Sequence, residues 1–211
     1  MYTPSHFSET RIEVLHDFIA EHPLAALIAP TADGLDANHI PVLLDPTRGP
    51  FGTLRGHVAR ANPMWKKVPD GSRALALFQG PTHYISPGWY PSKRTDNTVV
   101  PTWNYVVVHA HGTLTWTHDF AWLLRLVNDL ADTFERDRKE PWRVSDAPAD
   151  WVEGQLKAVV GFELAIERLE GKWKVSQNRS AADREGVVAG LAEVSGEDAR
   201  KMAELVARTK L

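Results

Sequence analysis

The chain has 211 residues, 43% hydrophobic and 24% charged, which is ordinary for a globular protein and excludes wholesale disorder. It has no cysteine, which excludes disulfides, thiolate metal sites, iron–sulfur clusters and cysteine nucleophiles. A formal net charge of −3 argues against a self-sufficient DNA binder, and the lack of a membrane-length apolar run or an apolar signal core predicts a cytoplasmic protein.

The first part of the chain predicts one helix followed by short strands. Ile12, Leu15, Phe18 and Ile19 have the spacing of one helical face, and the helix ends at His22-Pro23. Apolar runs bounded by Gly, Pro and Asp turns then predict strands at 24–29, 40–44, 51–58 and 73–78, with a short helix at 59–67.

The middle of the chain, residues 79–102, is rich in proline, glycine, serine and aromatic residues and predicts a long loop, with strand character at 82–86. A loop of this length inside a compact domain is usually functional or disordered, and its aromatic content favours an ordered, functional one. Alternating residues from Tyr105 to Trp116 then predict a long strand.

The remainder is more helical. An apolar stripe from Phe120 to Phe134 predicts a helix. Residues 151–157 are predicted to form a short helix and residues 159–166 a strand, with a turn following at Glu170-Gly171. Ser180 and Ser195 each precede an aspartate by three residues, which predicts two capped helices at the end of the chain.

No linker divides the chain, so residues 1–211 are interpreted as a single domain whose C-terminal part is helical from about residue 180. Six strand candidates with short connections predict an α+β fold, mostly antiparallel, the simplest form being a small barrel with flanking helices.

The segment from Gly56 to Trp65 places a glycine, Arg60 and Asn62 where a strand gives way to a helix. Backbone N–H groups at a helix start, with an arginine beside them, can hold a phosphate. The alternative is that Arg60 and Asn62 only cap and solvate a short helix.

Two aromatic segments suggest a ligand pocket. In 78–90, the Gln79 amide could bind the edge of a heteroaromatic ring while nearby aromatic residues stack on its face, although a packed aromatic loop explains the pattern equally. In 100–112, His109 and His111 share a strand face, but no further ligand lies at a motif spacing, so we expect no metal site.

The segment 170–180 surrounds Trp173 with cations and amides. Such a set suits a phosphorylated ligand, whereas the alternative is a solvated turn before a helix. No nucleotide-binding or hydrolase motif and no ordered triad is present, so catalytic residues stay unknown.

Taken together and in order, these segments resemble a known family. The blocks are MYTPSHF, HIPVLL, GHVARANPMW, FQGPTHYISPGWY, VPTWNYVVVHAHG and EGKWKVSQNRS. They resemble the PaiB family of FMN-binding negative transcriptional regulators, and the likeness runs from Met1 to about Leu191. It implies an FMN-binding split β-barrel related to pyridoxamine-phosphate oxidase, usually a homodimer with FMN at the subunit interface.

The resemblance also implies which residues bind FMN, although the chain lacks the hydroxyl residue and the Arg-Lys pair that usually hold the phosphate in the wider split-barrel group. The implied cofactor-binding residues are Arg55, His57, Arg60, Asn62, Gln79, Trp103, Asn104, Lys172, Lys174, Gln177 and Asn178.

The function implied is that of an FMN-binding negative transcriptional regulator. The alternatives are a flavin-dependent oxidoreductase of the split-barrel group and a haem-binding protein. Direct DNA binding has little support from the charge, and whether the chain is an enzyme is left open.

Overall fold

The computed structural model describes residues 1–209, which contain seven strands and six α-helices. The strands are β1 (Ser8–Glu9), β2 (Leu24–Thr31), β3 (Gly34–Asp45), β4 (Thr53–Ala59), β5 (Ser72–Ile85), β6 (Thr102–Thr117) and β7 (Val159–Lys174). The α-helices are α1 (Ile12–Glu21), α2 (Met64–Lys67), α3 (Phe120–Glu135), α4 (Ala149–Lys157), α5 (Ala181–Ala192) and α6 (Glu197–Arg208).

These elements group into two compact units built from separate stretches of chain. The barrel unit contains Ile19–Leu77 and Ala110–Leu169, and the second unit contains Met1–Phe18, Phe78–His109 and the chain from Glu170 onward. Every division falls inside an element, namely α1, β5, β6 or β7, so no linker separates the units along the sequence.

The strand order within the described residues is β1-β7-β4-β3-β2-β5-β6, and a further pairing of β6 with β7 closes six strands into a barrel. The registered pairs of the barrel unit are antiparallel, as between Leu54 and Leu164 or Leu27 and Ala76. Along β4, Leu54 and Val58 are buried while Arg55 and His57 alternate with them, so this strand gives one face to the core and the other to polar side chains.

A glycine permits the close approach of β6 to β7. A Cβ added at Gly112 would lie 2.0 Å from the backbone oxygen of Ala165. No rotation of a side chain relieves a clash with backbone, so only glycine fits this crossing.

In the second unit, β1 pairs with the end of β7, Ser8 opposite Lys172 and Glu9 opposite Gly171. Helix α5 packs on the 3₁₀ turns that follow β5. Asp183, which is buried, accepts hydrogen bonds from the backbone N and the Oγ of Ser92 at 3.1 and 2.9 Å. The fold is α+β and mostly antiparallel with flanking helices, as predicted.

Three local predictions are wrong. β7 runs straight through the predicted turn at Glu170-Gly171, because Gly171 pairs with Glu9. α2 begins at Met64 instead of residue 59. Gly196, with a φ of 126°, occupies the N-cap of α6 in place of the predicted Ser195. The strand character predicted at 82–86 is confirmed, because β5 continues to Ile85, and two short 3₁₀ turns lie in the loop that follows.

Ser180 does cap α5, since its side chain accepts a hydrogen bond from the backbone N of Asp183. None of the helices within residues 1–209 has the length and apolar character required to cross a membrane.

Candidate functional site

Arg55 and His57 project from the same face of β4 in the barrel unit. Arg55 donates from Nη1 to Asp129 Oδ2 of α3 at 2.8 Å. The Nε of Arg55 and the Nδ1 of His57 are buried and have no hydrogen-bond partner among residues 1–209. Burial lowers the pKa of His57 from its ordinary value of 6.5, because the charged imidazolium is poorly solvated there. The pair therefore consists of a charge-balanced arginine and a neutral histidine at pH 7.

Arg60 and Asn62 lie just after β4 and form structural hydrogen bonds. The Arg60 guanidinium donates to the carbonyls of Lys157 at 2.6 Å and Val159 at 2.8 Å, which join α4 to β7. Asn62 Oδ1 accepts from the backbone N of Met64, the first residue of α2, at 2.9 Å. Arg60 therefore contacts the α4–β7 connection, and Asn62 contacts the start of α2.

The second unit contains a group of three cations, here called the cationic cluster: Lys172, Lys174 and Arg179. Lys172 is only 7% exposed, and its Nζ donates to the carbonyl of Tyr2 at 3.1 Å. The same ammonium lies 5.2 Å from the centre of the Tyr105 ring, and that of Lys174 lies 6.0 Å from it.

The other two cations are also held in place. Lys174 Nζ donates to Thr102 Oγ1 and to the Trp103 carbonyl, the latter at 2.8 Å. The Arg179 guanidinium lies 4.7 Å from the centre of the Tyr90 ring. The cluster is therefore fixed by backbone, hydroxyl and aromatic groups.

Within residues 1–209, no member of the cationic cluster forms an ion pair with a carboxylate. Burial first, and then the charges of Lys172 and Arg179, lower the pKa of Lys174 from its ordinary value of 10.5. Because buried charges are costly unless compensated, the cluster is electrostatically suited to a bound anion.

The predicted amide residues shape the adjoining loop. Asn104, 1% exposed, donates from Nδ2 to Ser176 Oγ at 2.9 Å. Gln177 Oε1 accepts from the backbone N of Val175 at 2.8 Å, and its Nε2 donates to the Trp173 carbonyl. Ser176 adopts a φ of 66°, so these bonds hold a tight turn directly before Arg179. Asn178 is exposed.

Trp103, a predicted pocket wall, is 56% exposed and lines an open cleft of about 510 Å³ in the second unit. Thr82, His83 and Tyr84 line the cleft as well, as does the start of α6 from Ser195 to Ala199. The rings of Trp103 and Tyr84 meet edge to face with centroids 6.0 Å apart. Gln79 is exposed on β5 in the same unit.

The predicted residues thus divide between the units: the four from Arg55 to Asn62 belong to the barrel unit, and the other seven to the second unit. Arg179 belongs to the same predicted segment, 170–180, as Lys172 and Lys174. The prediction missed Tyr2 and Asp129, whose roles depend on contacts between residues distant in sequence.

The sequence of the chain matches a known protein family. Residues 1–168, well over half of the chain, match the family model described as "Putative FMN-binding domain". An uncharacterized protein of Aspergillus fumigatus is 36% identical over 98% of this chain and 96% of its own length. Protease synthase and sporulation protein PAI 2 of Bacillus subtilis is 29% identical over 98% of this chain and 96% of its own length.

Solved structures share the fold. The FAD and haem binding protein from Mycobacterium smegmatis superposes with a TM-score of 0.60 at 18% identity, covering 87% of this chain and 80% of that one. Flavocytochrome Anf3 from Azotobacter vinelandii superposes with a TM-score of 0.53 at 14% identity, covering 79% of this chain and 69% of that one. At these identities the likeness concerns the fold alone, and it confirms the predicted split barrel.

The chain belongs to the FMN-binding domain family. This confirms the predicted family and supports FMN as its cofactor. The residues present fit that group. FMN combines a phosphate with a planar ring, and the second unit offers an uncompensated cationic cluster and a cleft with exposed aromatic walls.

Proposed function

We propose that this chain is an FMN-binding transcriptional regulator of the PaiB type, which holds the flavin in a pocket at a homodimer interface. Membership of the FMN-binding family supports the cofactor. The full-length likeness to the Bacillus subtilis protein, whose name refers to protease synthesis and sporulation, supports the regulatory role. The observation that carries the proposal is the cationic cluster, with Lys172 buried and Lys174 and Arg179 partly exposed, which has no carboxylate partner within residues 1–209. FMN would bring the missing negative charge.

The residues proposed to hold FMN are Arg55, His57, Arg60, Asn62, Gln79, Trp103, Asn104, Lys172, Lys174, Gln177 and Asn178. When bound, FMN would supply one- and two-electron redox chemistry. The side chains of the chain bind and orient it: cations neutralise its phosphate, amides shape the loop beside it, and Trp103 offers an aromatic face. The described side chains have no evident acid–base role in this proposal.

Direct DNA binding is the weaker part of the proposal. Within residues 1–209, seven exposed cations are already paired with carboxylates at 2.9 Å or less, among them Arg48 with Glu163 and Lys67 with Asp33. Phosphate-backbone binding depends on free cations and weakens steeply with salt. A regulatory effect exerted through a protein partner, or through the redox state of the flavin, therefore agrees better with this surface.

Two measurements test the regulator. Analytical ultracentrifugation with FMN should give a dimer, and a monomer under all conditions would overturn the interface pocket. Gel retardation against the chain's own upstream DNA at low salt tests direct binding. If no DNA is retained there, direct DNA binding is excluded and only an indirect regulatory role remains.

A flavin-dependent oxidoreductase is the second candidate, favoured by the open aromatic cleft that Trp103 and Tyr84 line. A cleft of about 510 Å³ has room for a small planar substrate or donor. Anaerobic mixing of the FMN-loaded protein with NADH and NADPH tests this role. Rapid loss of the flavin absorbance with either would favour the oxidoreductase, and its persistence with both would exclude a simple reductase.

A further inference from the structure

We infer that the phosphate of FMN is bound by the cationic cluster Lys172, Lys174 and Arg179, and not by Arg55 and His57 on β4. This inference rests on the proposed binding of FMN and assigns one chemical part of the ligand to one part of the chain. It departs from the expectation drawn from the resemblance, which placed the phosphate at the end of β4.

The charge on β4 is the first argument. A phosphate monoester carries close to two negative charges at neutral pH. The single formal positive charge on this face, that of Arg55, is already balanced by the Asp129 carboxylate at 2.8 Å, although the Nε of Arg55 has no partner among residues 1–209. His57 is held neutral by burial. Arg55, His57 and Asp129 together sum to no net charge, so they offer a dianion little attraction.

The cationic cluster, in contrast, carries positive charge that no carboxylate of the described residues balances. Its three formal positive charges have no carboxylate partner within the described part of the chain. Within residues 1–209, the Nζ of Lys172, a residue only 7% exposed, has the Tyr2 carbonyl as its one hydrogen-bond acceptor. Since an ammonium has three donor positions, the lysines retain capacity for anionic oxygens, and a dianion would also remove their mutual repulsion.

The cluster is also preorganised. The Tyr105 ring lies beside both lysine ammonium groups, and the Thr102 hydroxyl and Trp103 carbonyl anchor Lys174. The turn that precedes Arg179 is held by the Asn104–Ser176 bond. Binding therefore costs little side-chain entropy, which is the condition for a selective phosphate site.

The β4 pair is poorly suited to a phosphate for a second reason. The buried, neutral His57 has an Nδ1 without a hydrogen-bond partner among residues 1–209, which matches an uncharged polar group better than a phosphate. We therefore expect substitutions on β4 to affect flavins with and without phosphate equally.

The experiment compares FMN with riboflavin, which differs from it only by lacking the phosphate. Dissociation constants for both are measured by flavin fluorescence quenching for the wild-type chain, K172M, K174M, the double variant and R55M. K93M, which changes an exposed lysine of the same unit, is the matched control. Methionine keeps the length of the lysine stem and removes its charge, and circular dichroism verifies that each variant is folded.

The expected result is that K172M and K174M each weaken FMN binding about tenfold or more while riboflavin binding changes little. R55M should leave the FMN-to-riboflavin affinity ratio close to that of the wild type, as should K93M. If K172M does not fold, the K174M variant alone tests the phosphate assignment, because Lys174 is more exposed and its substitution disturbs the fold less. In addition, inorganic phosphate should compete with FMN and not with riboflavin.

The inference is overturned if R55M collapses the affinity ratio and the lysine variants preserve it. A different result tests the proposed function itself. If the folded wild-type chain binds neither FMN nor riboflavin, flavin binding fails, whereas binding of both with an unchanged ratio in the lysine variants refutes only the phosphate assignment.

Discussion

The indole of Trp89 lies directly on the backbone of Gly190, so close that a Cβ at position 190 would meet three indole carbons at 2.3 to 2.5 Å. One turn earlier on α5, a Cβ at Gly186 would meet the Trp89 carbonyl oxygen at 2.0 Å. Two glycines on one face of α5, Gly186 and Gly190, thus pack against Trp89. This contact fixes α5 on the 3₁₀ turns after β5, within the unit that contains the cationic cluster.

We predict that G190A lowers the free energy of unfolding by about 1–2 kcal/mol, because overpacking outweighs the gain in helix propensity. Gly154 on α4 is the matched control, since a Cβ there meets nothing within 4 Å. G154A should stabilise by up to about 1 kcal/mol. Urea unfolding measures both, and equal stabilisation by the two substitutions would contradict the Trp89 contact.

A second glycine substitution tests barrel closure. G112A places a methyl group against the backbone of β7 at Ala165, and we expect loss of the cooperative unfolding transition or destabilisation by more than about 3 kcal/mol. T115A, at an exposed position of the same strand, should change the unfolding free energy by less than about 0.5 kcal/mol. A G112A variant as stable as T115A would show that β6 and β7 do not approach in this way.

Glu163 of β7 is expected to contribute to the acid stability of the barrel unit. Arg48 donates to both of its oxygens at 2.7 Å, and Trp122 Nε1 donates at 3.0 Å. These bonds, that of Arg48 first, lower the pKa of Glu163 below 4.5. A lowered carboxyl pKa contributes stability above pH 4.5 that is lost as the pH falls through the folded-state pKa.

E163Q should therefore flatten the fall in melting temperature between about pH 5 and pH 3. E153Q, which changes an exposed glutamate paired with Lys157, is the control and should leave that fall unchanged. Superimposable pH profiles for the wild type and E163Q would remove Glu163 from this role.

His57 should affect the stability of the fold at a higher pH than Glu163 does. Its folded-state pKa lies below 6.5, so the unfolded chain binds a proton more readily, and stability is lost as the pH falls below about 6.5. H57Q should lose less stability than the wild type between pH 7.5 and pH 5. H39Q, on the exposed side of β3, should behave like the wild type. A wild-type-like loss in H57Q would contradict the buried, neutral imidazole.

Much of this fold could be predicted because local patterns agree with tertiary structure. The apolar stripe of α3 and the alternation of β6 follow from helical and strand periodicity. Glu170-Gly171 misled the prediction because its turn signal is local, whereas its strand pairing joins residues more than 160 positions apart. A Cβ at Gly171 would lie 2.3 Å from Leu15 Cδ2 and 3.0 Å from the Glu9 carbonyl oxygen, so this glycine lies in a crowded strand pairing and not in a turn.

The candidate site likewise has a part that sequence patterns indicate and a part that depends on the folded structure. Lys172 and Lys174 could be predicted because they lie together in sequence with Gln177 and Asn178. The compensation of Arg55 by Asp129 could not, because it joins β4 to a helix 74 residues later. Similarly, the burial of Lys172 beneath Tyr2 depends on contacts between the two ends of the chain. Charge balance, on which the proposed phosphate assignment rests, is a property of the folded chain.

The most direct test of the account is a titration of the purified wild-type chain with FMN, followed by absorption, flavin fluorescence and melting temperature. The account predicts saturable quenching of the fluorescence, a perturbed flavin spectrum and a melting temperature that rises with FMN concentration, because a ligand that binds only the folded state stabilises it. A folded protein whose spectrum and melting temperature are unchanged by FMN would contradict it.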